Sequence, residues 1–259
     1  MDDPPHIDSH AHVWDRNCAF VPGARYHPDY EATIDDYLKV LDRNSVEKAV
    51  LVQPSFLGAN NDYLLACLKR FPDRLRGIVV VDQSVLPDQL DDMTAAGVIG
   101  LRYNLIGGDA GILASEATRE LTRKATHRGW WIEVQAEGPD WPFVLGTLLA
   151  DDARIMVDHF GKPSGADCPG HAVLLAANPS RHVVKLSAPY RQVPAQITPY
   201  AHAFLAAWGA AHCLWGSDWP WTQHETRHGY RDCQHWLSNW ATREDRADMT
   251  RAAPALCGF

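Results

Sequence analysis

Three segments of the chain place histidine and carboxylate side chains at spacings that suit work on a small molecule. The first is Asp8-Ser9-His10-Ala11-His12. In an extended backbone, residues two apart point the same way, so His10 and His12 can enter one pocket together. The second runs from Arg154 through an apolar, strand-like stretch into Asp158-His159 and a Gly/Pro turn ending at Pro163. The third, Cys213-Leu-Trp-Gly-Ser-Asp218-Trp-Pro220, delivers a carboxylate where a strand gives way to a loop. Imidazoles can donate hydrogen bonds to a developing oxyanion, and a carboxylate within reach can take a proton from water. Together the four suit water attack on a carbonyl. Each alone also has an ordinary structural role, a histidine bonding a backbone carbonyl or an aspartate capping a helix. What sets them apart is that all four fall at strand ends.

Such convergence requires a fold that gathers strand ends on one face. Eight short apolar or β-branched runs read as strands: His6–Asp8, Ala49–Gln53, Gly77–Val81, Gly100–Asn104, Trp131–Gln135, Arg154–Asp158, His182–Leu186 and Cys213–Gly216. Between them, Ile34–Arg43, Asn60–Arg70, Pro87–Ala96, Ser115–Arg128, Pro142–Ala150, Gly170–Asn178 and Tyr200–Gly209 carry apolar residues near helical spacing, such as Leu64, Leu65 and Leu68. This alternation predicts an α/β fold with a parallel sheet and crossover helices. Eight units in about 250 residues match a single (β/α)8 TIM barrel over residues 1–259, with the active site at the C-terminal ends of the strands. A doubly wound open sheet is the other arrangement with this alternation. The count of eight, and the polar residues that follow the strands, favour closure. No Pro/Gly/Ser-rich linker or repeat marks a domain boundary.

The charge balance constrains partners. Asp and Glu number 32 against 24 Lys and Arg, a net charge of -8, which disfavours nucleic acid and anionic membranes. No uninterrupted apolar run approaches the roughly 18 residues of a membrane span, and Met-Asp-Asp-Pro-Pro-His lacks the basic start of a leader, so a cytoplasmic protein is expected. The six cysteines are scattered without a CxxC pair, against a disulfide framework or zinc ribbon. Nothing in the sequence reads as an oligomeric state. An acidic exterior still leaves room for a positive pocket. Arg102, Lys185 and Arg191 stand at three strand ends, and guanidinium groups bind carboxylates bidentately, so a small carboxylated substrate is expected. Asn104, two positions beyond Arg102 on the same face, can bond the substrate or orient the arginine.

The segments Ile7-Asp-Ser-His10-Ala-His12, Val157-Asp-His159-Phe-Gly-Lys-Pro163 and Leu214-Trp-Gly-Ser-Asp218-Trp-Pro220 resemble the amidohydrolase superfamily, in the branch that contains the 2-pyrone-4,6-dicarboxylate lactonases. Arg25-Tyr26, Leu51-Val-Gln-Pro-Ser55, Gly100-Leu-Arg102-Tyr-Asn104 and Lys185-Leu-Ser-Ala-Pro-Tyr-Arg191 agree, so the resemblance runs from about residue 6 to the C-terminus. It implies a (β/α)8 barrel that opens a carboxylated lactone, 2-pyrone-4,6-dicarboxylate or a relative, with no metal cofactor. Asp218 would be the general base and His10, His12 and His159 would polarise the carbonyl. Tyr26, Arg102 and Arg191 match substrate contacts of that branch. Two positions depart from it: Gly107-Gly108 stand where the branch carries a further arginine, and Gln135 replaces a strand-five tyrosine. These changes touch the identity of the substrate more than the type of reaction.

The same four residues form a ligand set for Zn2+, so a zinc-dependent hydrolase or decarboxylase of the superfamily is the alternative. Metal-dependent members also use a strand-five histidine, where this chain offers Gln135. Glu133 and Glu137 are read as helix-facing or loop residues. A non-catalytic binder of an anionic metabolite is the third reading. A serine nucleophile has no Gly-x-Ser-x-Gly elbow, and Ser217 neighbours Asp218 on the opposite side of the backbone. Trp14, Trp215, Trp219 and Trp221 cluster near the expected mouth as pocket wall or as packing, while Trp130 and Trp131 read as strand core. His224 and His228, in the loop after the eighth strand, stand within reach of a ligand.

Overall fold

The computed structural model describes residues 6–165, 167–192 and 197–259. Eight parallel strands follow one another in sequence order: β1 Ile7–Ala11, β2 Lys48–Val52, β3 Leu75–Val79, β4 Val98–Asn104, β5 Trp131–Gln135, β6 Arg154–Val157, β7 His182–Leu186 and β8 Cys213–Trp215. Crossover helices are α1 Ile34–Arg43, α2 Asp62–Arg70, α3 Pro87–Ala95, α4 Glu116–His127, α5 Trp141–Leu149, α6 Pro169–Ala176 and α7 Ile197–Trp208, and α8 Tyr230–Trp240 and α9 Arg243–Leu256 end the chain. The closed barrel is the expected one. β1 runs further than its apolar run suggests, carrying His10 inside the strand, and β3 sits two residues earlier than predicted. The last two helices were not anticipated. α9 buries only Met249 and Ala253, too thin an apolar stripe to read, although Thr242 and Asp245 form a reciprocal cap at its start.

Local chemistry accounts for the regular elements. α1 buries Ile34, Tyr37, Leu38 and Leu41, the spacing of one helical face, and the Thr33 side chain caps it by accepting from the Asp36 N–H. β2 is buried from Ala49 to Val52 because it faces side chains in the barrel and helices outside it. Inside the barrel, Ile7, Val50, Val52, Ile78, Trp131, Met156, Val183 and Leu214 form an apolar plug, sealed by Ala253 of α9 and by Cys257. Two residues further along β5 and β7 come Glu133 and Lys185, and the same layer holds Arg102, Asp158 and His10, all buried. The active-site end lies above this charged layer.

The barrel closes between β8 and β1. Asp218 N–H donates to His10 O at 2.8 Å and His12 N–H to Trp219 O at 2.8 Å. Gly216 permits this approach, since a Cβ there would lie 2.7 Å from the His10 Cβ. The buried Asp8 carboxylate ties the seam, accepting from Ser217 N–H at 2.8 Å, Ser217 Oγ at 2.5 Å, Tyr37 OH at 2.7 Å and Tyr230 OH at 2.9 Å. Burial nonetheless pushes the Asp8 carboxyl above its ordinary value. Ser217 is thus spent on structure, as its lack of a nucleophile motif suggested. All six cysteines are free. No described helix is long and apolar enough to cross a membrane. Residues 1–5, which bear on the leader, lie outside the described residues.

Candidate active site

A cleft of about 390 Å³ opens at the C-terminal ends of the strands, with His12, His159 and Asp218 in its lining. Asp218 sits just beyond β8 in the left-handed region, at φ 57°, and is fully buried. His159, after β6, also has positive φ, at 50°. Non-glycine residues held in this region are costly and gather at functional sites. One carboxylate oxygen of Asp218 is clamped: Oδ2 accepts from Arg191 Nε at 2.8 Å and from Tyr190 OH. The other, Oδ1, has no hydrogen-bond partner among the described residues. It faces His12 Nε2 at 3.3 Å, His10 Nε2 at 3.6 Å and His159 Nε2 at 4.0 Å. Burial pushes this carboxyl up, but the Arg191 guanidinium and the imidazoles of His12, His159 and His10 around it outweigh burial and hold the group well below the ordinary range. Asp218 is therefore an ionised carboxylate with one lone-pair face free for a ligand.

The three histidines have different partners. His12 Nδ1 lies 2.8 Å from Val52 O, a group that only accepts, so Nδ1 carries a proton while Nε2 faces Asp218 Oδ1. His10 Nδ1 lies between the Lys185 ammonium at 3.0 Å, which only donates, and Asp158 Oδ1 at 3.3 Å, which accepts, so its surroundings serve either tautomer. His159 Nδ1 pairs with Ser187 Oγ at 2.8 Å, and a hydroxyl serves either tautomer. His12 and His159 line the cleft, whereas His10 is fully buried outside the residues that line it, facing Asp218 from below.

Lys185 and Glu133 are placed differently from the sequence reading. The Lys185 ammonium contacts Glu133 Oε2 and lies 3.7 Å from Asp158 Oδ1, all inside the barrel. Arg102 reaches Glu133 at 3.1 Å and Asp158 at 3.1 Å. Two cations thus neutralise two anions beneath the cleft. Lys185, expected to hold substrate, is absent from the cleft lining because these carboxylates engage it. Glu133, expected to face a helix, points inward on the same side of β5 as Trp131 and Gln135. Burial and the neighbouring Asp158 raise its carboxyl. Glu137 is on a loop as expected, 2.6 Å from Lys162.

The remaining predicted residues reach the cleft. Arg102, Asn104, Gln135, Arg191 and Tyr26 line it. Gln135 Oε1 accepts from Arg102 at 2.9 Å, and Tyr26 OH donates to Glu225 at 2.6 Å. His224 lines it as well, whereas His228 stacks on Tyr190, ring centroids 4.7 Å apart. The four tryptophans pack instead of walling it: Trp219 stacks on Tyr37, and Trp14, Trp215 and Trp221 bond backbone carbonyls. Sequence reasoning missed Asp158, Ser187 and Tyr190 as site residues. For Asp158 and Tyr190 the signal was adjacency to His159 and Arg191.

His10, His12 and Asp218 bring one ligand atom each within 4.8 Å of one another, as do His10, Asp158 and His159. Imidazole and carboxylate are the ligand types of a divalent cation, and His12 donates Nδ1–H to a backbone carbonyl as ligating imidazoles do. A metal-binding His10 would need an unprotonated Nε2, which the Asp158 carboxylate 3.3 Å from Nδ1 favours and the Lys185 ammonium 3.0 Å from it opposes. On β5 the Gln135 oxygen is already engaged by Arg102.

Burial pushes His159 down to about 4. A histidine of ordinary pKa near 6.5 when unfolded is then the better proton binder unfolded, so its contribution to stability is full above pH 6.5 and is lost as pH falls through about 4. That contribution is on the order of 3 kcal/mol. The melting temperature is expected to fall between pH 7 and pH 5, and His159→Gln to shrink the fall. An unchanged pH dependence in the variant would show that the ring is not buried neutral.

Fold and site define a (β/α)8-barrel enzyme with a fixed carboxylate and imidazoles at the strand ends, a hydrolase. The amidohydrolase family model matches residues 7–249, and the chain belongs to that family. A probable 2-pyrone-4,6-dicarboxylic acid hydrolase from Acinetobacter baumannii, with citric acid bound, is 31% identical and has a TM-score of 0.93, covering 98% of this chain and 100% of its own. A second probable hydrolase of that acid, from Pseudomonas putida, is 36% identical with a TM-score of 0.89, covering 97% of each chain. The 4-sulfomuconolactone hydrolase of Rhizobium radiobacter is 30% identical over 227 residues, 82% of this chain and 75% of its own. The resemblance drawn from the motifs, to the 2-pyrone-4,6-dicarboxylate branch, is thereby confirmed.

Proposed function

We propose that this protein hydrolyses a lactone bearing anionic substituents, without a metal. The observation that carries this reading is the free Oδ1 of Asp218, ionised and held in place through its other oxygen. Water bound against Oδ1 attacks the lactone carbonyl and gives its proton to Asp218. His12 Nε2, 3.3 Å from the same oxygen, helps orient that water. The carbonyl oxygen becomes an oxyanion and accepts from His159 Nε2–H, whose tautomer Ser187 accommodates. The tetrahedral centre then collapses, the ring C–O bond breaks, and Asp218 returns the proton to the departing oxygen. Arg102, Arg191, Asn104 and Gln135 line the cleft and would hold the carboxylates of the substrate. The names of the relatives support the substrate class: the probable 2-pyrone-4,6-dicarboxylic acid hydrolase holds citric acid, and another is named for a sulfonated lactone.

The zinc-dependent reading is favoured by two sets of ligand atoms, those of His10, His12 and Asp218 and those of His10, Asp158 and His159. One experiment separates the two. Purified enzyme treated with a chelator is assayed by ultraviolet absorbance on a panel of carboxylated and sulfonated lactones, beginning with 2-pyrone-4,6-dicarboxylate, alongside metal analysis. Full turnover at substoichiometric metal is expected. Turnover lost on chelation and restored by Zn2+ would overturn the metal-free mechanism.

A further inference from the structure

Four cationic side chains, Arg25, Arg102, Lys162 and Arg191, line the cleft. Three of them are already neutralised: Arg102 by Glu133 and Asp158, Lys162 by Glu137, and Arg191 by Asp218. Arg25 differs. Its guanidinium makes a single long hydrogen bond among the described residues, 3.5 Å to Asn104 Oδ1, and no described carboxylate pairs with it. It comes from the loop between β1 and α1, and it lies over Gly107 of the loop after β4. A Cβ on Gly107 would sit 3.4 Å from Arg25 Nη1, and Gly107 has φ +73°, a conformation that side chains disfavour. The β4 loop is thus bare backbone where the guanidinium rests. A guanidinium offers five donors in a planar fork, and most of those of Arg25 are uncommitted at the rim of a cleft whose floor holds the reactive carboxylate.

We propose that Arg25 determines substrate specificity by binding a second anionic substituent of the ligand, one remote from the reacting carbonyl. The inference rests on the reading of the cleft as a site for anionic lactones and says which of them it prefers: those with two negative groups set apart on the ring. The reaction-side anion shares Arg191 and Arg102 with protein carboxylates, whereas the remote one meets an arginine with no competing acid. Carboxylate and sulfonate share the chemistry required, two or three acceptor oxygens on one negative centre, and either fits the fork. Arg25 acts in binding and takes no part in proton transfer, so its loss is expected in KM and not in kcat.

The test is Arg25→Ala, with Arg25→Lys beside it. The side chain is exposed and its backbone lies in a loop, so the melting temperature should match the parent. On a lactone with two anionic groups, Arg25→Ala is expected to raise KM by about 30-fold to 100-fold with kcat within about threefold. On the same ring carrying one anionic group the change should stay below about threefold. Paired dicarboxylated and carboxylated, sulfonated rings tell which anion is preferred. Arg25→Lys should recover part of the loss, since an ammonium keeps the charge without the fork. A calorimetric titration with citrate, and with benzoate as the monoanion, keeps this result separate from the hydrolytic assignment. If no lactone is turned over, yet citrate binds and Arg25→Ala weakens it selectively, the hydrolytic reading fails and the role of Arg25 stands. Equal losses on both classes of ligand, a fall in kcat at constant KM, or unaltered citrate binding by Arg25→Ala would overturn it.

Discussion

Asp218→Asn is expected to lower kcat/KM on any accepted lactone by about a thousandfold or more, the scale of a lost general base. The amide keeps the shape of the side chain, and asparagine tolerates the left-handed backbone at this position better than most residues. It cannot take the water proton, and it leaves Arg191 without its charge partner. The barrel should therefore form, with unchanged far-ultraviolet circular dichroism, while melting a few degrees lower. Activity within tenfold of the parent, in a folded variant, would remove Asp218 from the proton-transfer step. The comparison with Arg25→Ala is informative because the two losses fall on different kinetic constants.

The second large effect is on stability. Lys185→Met would leave Glu133 and Asp158 facing each other with Arg102 as the remaining cation, in a fully buried layer. Removing one partner of a buried ion pair costs about 3–5 kcal/mol, because the other charge stays desolvated. For a protein of this size that lowers the melting temperature on the order of 10 °C. Adding Glu133→Gln to Lys185→Met restores the charge balance, and the double variant is expected to recover more than half of the loss, the signature of direct coupling. If Lys185→Met melts within about 2 °C of the parent, the charged layer does not hold the barrel together.

Most of the fold was legible because parallel strands buried on both faces leave continuous apolar runs, as in Ala49–Val52, and eight such runs in this length leave few topologies. His12, His159 and Asp218 were legible because each follows a recognisable strand. Lys185 was misplaced for a physical reason. Its alternation within β7 says that it points into the barrel, but whether the interior at that level is a mouth or a sealed layer depends on residues from β4, β5 and β6. Only side by side do Arg102, Glu133, Asp158 and Lys185 reveal a neutral quartet. The partners of the histidines escaped notice for the same cause, since His12 is bonded to a carbonyl forty residues away and His10 meets Lys185 and Asp158 from other parts of the barrel. Arg25 stood inside a matched motif, yet its significance appears only once every neighbouring cation is seen to have an acid.

The bonds that close the ring are the bonds that hold Asp218, the carboxylate proposed as the base. Asp218 N–H is fastened to the His10 carbonyl, and Asp8 fastens the residue before it. Catalytic competence is therefore an internal gauge of ring integrity. Any event that parts β8 from β1, whether heat, denaturant or a substitution at Asp8, would silence the enzyme while its helices were still intact, so inactivation should run ahead of the loss of secondary structure.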